Sequence, residues 1–190
     1  DLTDHRKLPC EDALAKLTEL RELRVNASCF PGLDVLSRLQ ELETLWIVGS
    51  LSAPNLSGLA NMKQLRQLEV KNCPMLESLD ALANLKQLEL IKLGNCRSIA
   101  NIDGLSELSN LAELHLTGCH SLQSIEGLVE LRNLEGLSLT GGHHLRGIDP
   151  LANMEQLRRL DLRGCAALRD MAPLAGLRKL EFLHLTGCSL

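Results

Sequence analysis

One spacing constrains this chain more than any other feature. Leucine recurs at Leu42, Leu65, Leu88, Leu111, Leu134, Leu157 and Leu180, always 23 residues after the last, with one earlier copy at Leu20, 22 residues before Leu42. Take each of these as position 1 of a repeat. Apolar side chains then return at positions 4, 6, 9, 12, 15, 18 and 21. In the copy from Leu65 they are Leu68, Val70, Cys73, Leu76, Leu79, Leu82 and Leu85. A fixed period of this length means one supersecondary unit per repeat. No unit buries its apolar face alone, so the units stack into a solenoid. By length, 190 residues could form one or two ordinary domains. The unbroken register reads instead as a single solenoid over 1–190, about eight repeats long.

Each repeat divides into three parts. Positions 1–8 alternate leucine with polar partners, as a half-buried strand does. Positions 9–14 turn the chain. From position 15 leucine returns every third residue, which suits a short helix or 3₁₀ turns. Asp80, Asp103 and Asp149, with Ser57, Glu126 and Asp12 in the same place, are expected to cap that segment, and Pro150 to occupy its first turn. Ala172 is the exception. Stacked strands would make a parallel sheet.

The hexapeptides carry a family likeness. LHLTGC occurs at Leu114–Cys119 and Leu183–Cys188, LSLTGG at Leu137–Gly142 and LDLRGC at Leu160–Cys165. With the full form L-x-x-L-x-L-x-G-C-x-x-L-x-x-I-x-x-L-x-x-L, the chain resembles leucine-rich repeat proteins along its whole length. Two groups are similar: the intracellular leucine-rich repeat proteins of kinetoplastid parasites, some joined to RING domains, and the repeat region of plant immune receptors. The resemblance implies an α/β fold. It would be a curved leucine-rich repeat solenoid with a parallel sheet on the concave face and short helices or 3₁₀ turns on the convex face. It also implies protein recognition by the concave face.

Composition narrows the partner. Hydrophobic residues make up 45% of the chain and aromatics 2%, so leucine must supply the core. A net charge of −4 argues against general affinity for nucleic acid or an anionic membrane. No apolar run is long enough to span a bilayer. Extending the register backward places Leu2, Leu8, Leu14 and Leu17 at core positions. The chain is therefore expected to begin in mid-repeat and to be uncapped at both ends. It would then be a fragment of a longer protein, able to associate end to end.

Position 9 reads Ser28, Ser50, Cys73, Cys96, Cys119, Gly142, Cys165 and Cys188. A small side chain is expected there, turned inward and donating to backbone groups that the sheet leaves unpaired. The count of seven cysteines is odd, and parallel Cβ vectors suit a disulfide poorly. Reduced thiols follow, and with them an intracellular location, cytoplasmic or nuclear.

Function must then lie in what varies. Position 5 reads Arg24, Trp46, Glu69, Lys92, His115, Ser138, Asp161 and His184; position 3 reads Glu22, Thr44, Gln67, Leu90, Glu113, Gly136, Arg159 and Phe182. These columns have no shared chemistry, as expected of a recognition surface on a regular scaffold. Trp46, with Thr44 and Val48, is the first candidate anchor and is expected to be exposed. Leu90, His115, Arg159, Asp161, Arg163, Phe182 and His184 complete the candidate binding face. Arg158, Arg159 and Arg163 share one strand and could grip a carboxylate or phosphate, although Glu135 and Glu181 flank Arg158 as cross-strand partners. His120 and His143 both occupy position 10, close enough to share an ion. No carboxylate or thiol completes a four-ligand zinc site there, so neither a metal nor a cofactor is expected. Ser138 lacks an identifiable base and no phosphate-binding loop occurs, so the chain reads as a non-enzymatic scaffold for a partner protein. The alternative is the substrate-recognition arm of a larger enzyme, such as a RING or F-box ubiquitin ligase. Asn26-Ala27-Ser28 and Asn55-Leu56-Ser57 match glycosylation sequons, which matter only in a secreted protein.

Overall fold

The computed structural model describes residues 14–30, 32–51 and 53–189. Leu2, Leu8 and Asp12 lie outside them. Eight strands form one parallel sheet in chain order: β1 Glu22–Asn26, β2 Thr44–Val48, β3 Gln67–Lys71, β4 Leu90–Gly94, β5 Glu113–Thr117, β6 Gly136–Ser138, β7 Arg159–Asp161 and β8 Phe182–His184. Each strand covers position 3 onward of its repeat, because alternation there gives one leucine-lined face and one polar face. Short 3₁₀ segments such as Asp80–Leu82 and Asp103–Leu105 return the chain on the opposite side. The architecture is an open leucine-rich repeat solenoid, as the period implied.

Register follows the sequence columns. Arg24 pairs with Trp46, Trp46 with Glu69, Glu69 with Lys92, Lys92 with His115, His115 with Ser138, Ser138 with Asp161 and Asp161 with His184. The other face packs into one continuous core. Leu45, Ile47, Leu68, Val70, Ile91 and Leu114 are each at most 1% exposed. No polar or charged side chain is buried among the described residues, so the core carries no desolvation penalty to be offset.

The helix caps differ from expectation. Asp80, Asp103, Asp149, Ser57 and Glu126 are the first residues of their 3₁₀ segments, not caps before them. The cap position holds Leu79, Ile102, Ile148, Leu56 or Ile125, none with a capping side chain. Pro150 is accordingly the second residue of its segment. The cap residue is a core position, so the polar acceptor moves one residue further back. The N–H groups of Ser57, Asp80, Asp103, Glu126 and Ala172 donate to Asn55, Ser78, Asn101, Ser124 and Asp170. These are local side-chain turns of the Asx and Ser type. Ala172 thus fits the series after all. Asn26, in the first sequon, accepts from Ser28 N–H in the same way.

Position 8 requires a left-handed backbone. Gly118 and Gly164 have φ of +69° and +72°, and Asn72 and Asn95 take the same conformation at +58° and +56°. Asparagine is one of the few non-glycine residues that tolerate it. The bend aims position 9 into the interior. There Cys73 Sγ donates to Gly49 O at 3.0 Å, Cys165 Sγ to Leu139 O at 3.2 Å and Cys188 Sγ to Leu162 O at 3.1 Å. Each bond crosses to the preceding repeat. Burial pushes the Cys96 thiol up to about 12, with the neighbouring Cys119 and Cys73 adding to it, and the Cys119 thiol to about 11. Cys73, Cys96, Cys119, Cys165 and Cys188 are all free.

Candidate functional site

The polar sheet face presents two distinct areas. The first surrounds Trp46 on β2. Its neighbours Leu45 and Ile47 are fully buried, so the indole points to the opposite face. It is only half-buried there rather than exposed, because Arg24 lies across it with the guanidinium carbon 4.2 Å from the ring centroid. Cation–π stacking explains the cover. Thr44 and Val48 are half-buried beside it on the same strand, whereas half-buried Leu90 lies two strands away on β4, next to Glu113 in register. On β3, Lys71 closes onto Glu69.

The second area is a hollow of about 330 Å³ over β5–β8, lined by Glu113, His115, Gly136, Ser138, Arg159, Asp161 and Phe182 among others. Gly136 makes it. A Cβ on Gly136 would fall on the Glu113 carboxylate, which lies across that strand to reach Arg159 two repeats away. The other Glu113 oxygen faces His115 Nε2 at 3.3 Å. Burial holds His115 below the ordinary histidine range; the Glu113 charge opposes this, and Lys92 and Arg159 reinforce it. Burial alone would raise the Asp161 carboxyl, but Arg163 hydrogen bonds and charge hold it below the usual carboxylate range. Phe182 stands at the wall, 49% exposed, edge-on to His184 with ring centroids 6.0 Å apart.

The structure therefore brings His115, Arg159, Asp161, Arg163, Phe182 and His184 into one neighbourhood and leaves Trp46, Val48 and Thr44 in another; Leu90 stands apart from Trp46, on β4 beside Glu113. Glu113 and Gly136 were missing from the candidate face. The sequence did contain their signal: Gly136 is the one position-3 residue without a side chain, directly beside Glu113 in register.

The three arginines of β7 do not form an open anion clamp. Arg158 pairs with Glu181 and Glu135, Arg159 with Glu113, and Arg163 with Asp161 through two nitrogens. Each charge is already met by a carboxylate. Nor does the hollow assemble a nucleophile. Ser138 neighbours His115 in register, but its hydroxyl hydrogen-bonds Thr140 at 3.1 Å, and no bond joins it to His115. Among the described residues, no group of three or more His, Cys, Asp or Glu could hold a metal ion. No helix among them is long and apolar enough to cross a membrane.

Solved structures give the same architecture at low identity. Over 96% of its length the chain matches an internalin, inlF, from Listeria monocytogenes, with a TM-score of 0.70 and 21% identity, spanning 59% of that chain. It matches the functional domain of InlJ from the same organism, which includes a cysteine ladder, with a TM-score of 0.70 and 20% identity, covering 97% of this chain and 42% of that one. The leucine-rich repeat domain of the type III effector XopL matches at 0.64 and 21%, over 94% of this chain and 72% of its own. No family model and no curated protein matches the sequence. Period, parallel sheet, thiol ladder and structural neighbours agree, and the chain has the leucine-rich repeat fold.

Proposed function

We propose that this chain is a recognition module whose concave sheet face binds a partner protein. The observation that carries the reading is the contrast between two sides of the same strands. The inward columns repeat one chemistry, while the outward columns change residue by residue and include both an aromatic anchor and a hollow. Repeat solenoids use such extended concave surfaces for binding. An indole held by a stacked arginine also loses little freedom on docking, which favours it as a hot spot. Free thiols at position 9 favour a reducing, intracellular setting.

The test is a quantitative interaction assay with wild-type chain and three variants. Trp46→Ala and Gly136→Arg alter the concave face. Lys86→Ala alters the convex side, where Lys86 meets Glu107 at 3.4 Å. Trp46→Ala should cost about 2 kcal/mol or more of partner binding, the usual hot-spot scale. Gly136→Arg should fill the hollow, and Lys86→Ala should change nothing. Thermal melts run in parallel establish that all three fold. Loss of partner by Lys86→Ala, with both concave variants unaffected, would place the partner on the outer side and end this reading.

A further inference from the structure

We propose that the hollow over Gly136 seats one primary carboxamide, the side-chain end of a glutamine or asparagine carried by the partner protein. As a docking point it rests on the concave-face reading above. Size limits the guest first. A volume of about 330 Å³ lies at the low end of the range of about 300–1,000 Å³ found for small-molecule sites. It admits the end of one side chain rather than a whole helix or strand.

Charge limits it next. The carboxylates of Glu113 and Asp161 and the guanidiniums of Arg159 and Arg163 all line the hollow, and their charges cancel. Burial holds His115 below the ordinary histidine range, so near neutral pH it adds no charge. An anion would have to draw Arg159 and Arg163 away from Glu113 and Asp161. Those carboxylates are only 25% and 14% exposed, and a shielded charge left unpaired is costly. A cation would meet the two guanidiniums instead. A neutral polar guest avoids both penalties.

Unused hydrogen-bonding capacity then selects among neutral guests. Asp161 is filled, because Arg163 makes four contacts to its two oxygens. Glu113 is not. Its Oε1 accepts from Arg159 Nη2, and its Oε2 faces His115 Nε2. A carboxylate offers about four acceptor sites, so about two stay open. Arg159 gives Glu113 one of its N–H groups, and the rest donate to no protein group among the described residues. Open acceptor and open donors thus stand together on one bridge, above a floor that Gly136 leaves bare. A primary carboxamide matches them without disturbing the bridge. Its NH₂ donates to Glu113 and its C=O accepts from Arg159, both from one edge. A trans peptide group turns its N–H and C=O to opposite edges, so the partner's main chain cannot do the same. The paired hydroxyls of Ser138 and Thr140 retain one O–H to donate. Phe182 offers the guest's methylene stem an apolar wall.

The test is an amide NMR titration of the ¹⁵N-labelled chain with blocked peptides Gly-Gly-Xaa-Gly-Gly, in which Xaa is Gln, Glu or Lys. The Gln peptide should shift the Gly136 and Ser138 signals saturably. The Glu and Lys peptides should bind about tenfold or more weakly, since the first lacks the donor and the second the acceptor. Glu113→Ala and Arg159→Ala should each weaken the Gln peptide about tenfold or more, and Lys86→Ala should stay within about twofold. The peptide series on wild type needs no variant to fold. No saturation with the Gln peptide, an equal or tighter Glu or Lys peptide, or wild-type affinity in either hollow variant would overturn the seat. So would tighter binding of adenosine at the same signals, which would assign the hollow to a nucleobase edge. The titration reads the hollow without the partner. A partner held through Trp46 with no response to the Gln peptide sinks the seat alone. Loss of the partner in Lys86→Ala with a saturable Gln response sinks the concave-face reading alone.

Discussion

Gly104 on the convex side and Gly136 on the concave side both sit where an added Cβ would collide. At Gly104 the Cβ would come within 2.6 Å of the Leu79 carbonyl carbon and oxygen and 2.7 Å of Asp80 N. That obstacle is the backbone of the preceding repeat. At Gly136 the obstacle is the end of the Glu113 side chain. The convex side is stacked main chain against main chain, and Gly58 and Gly127 make the same approach to Leu33 and Ile102. The concave side is furnished by side chains that can rotate away. Fold therefore depends on the first, and the recognition proposed above would depend on the second.

The largest expected effect tests that difference directly. Gly104→Ala should lower stability by about 3 kcal/mol, because overpacking against a backbone cannot be relieved by a rotamer change. Gly136→Ala should cost under about 1 kcal/mol, since Glu113 is partly exposed and can swing aside. Urea unfolding midpoints for the two variants decide it. Equal losses would show that the hollow is as rigid as the convex seam.

The thiol ladder should fall between these extremes. Cys96→Leu adds volume to a fully buried site and should cost about 2 kcal/mol, whereas Cys96→Ser keeps a donor and should cost about 1 kcal/mol or less. The ladder also predicts alkaline sensitivity. An unfolded thiol titrates near about 8.5, and folded Cys96 is raised to about 12. Between those values the unfolded chain binds fewer protons than the folded one. The contribution is thus fully present below about pH 8.5 and falls as pH rises, by up to about 1.4 kcal/mol per unit for each such thiol. Chemical denaturation at pH 8 and pH 10 in reducing buffer measures it. A flat profile would mean that the thiols already ionise in the native state.

The same division governs what the sequence could reveal. The core columns were legible because burial repeats every 23 residues, and Trp46 between Leu45 and Ile47 was assigned its face for that reason. The caps were misplaced because the position just before each 3₁₀ segment belongs to the core. A leucine or isoleucine there has no acceptor, and Asn55, Ser78 and Asn101 supply it from one residue earlier. The Glu113–Arg159 bridge was not legible. It spans two strands only because Gly136 between them is bare, and such a contact depends on three repeats at once. Arg24 was placed beside Trp46 by register, but no periodicity tells whether it rims the indole or covers it.

That last contact gives the smallest effect and the finest probe of the concave face. Arg24→Gln removes the cation while keeping a polar chain of similar reach. A partly exposed cation–π pair is worth about 0.5–1 kcal/mol, so stability should drop by no more than that. Indole fluorescence should shift to longer wavelength as water reaches the uncovered ring. High salt should reproduce little of the change, because the guanidinium is in direct contact with the ring face rather than steered from a distance. If the spectrum stays fixed in Arg24→Gln, the half-burial of Trp46 comes from Thr44, Val48 and the sheet itself. The indole would then be part of the scaffold on that side, and the recognition proposed above would rest on the hollow over Gly136.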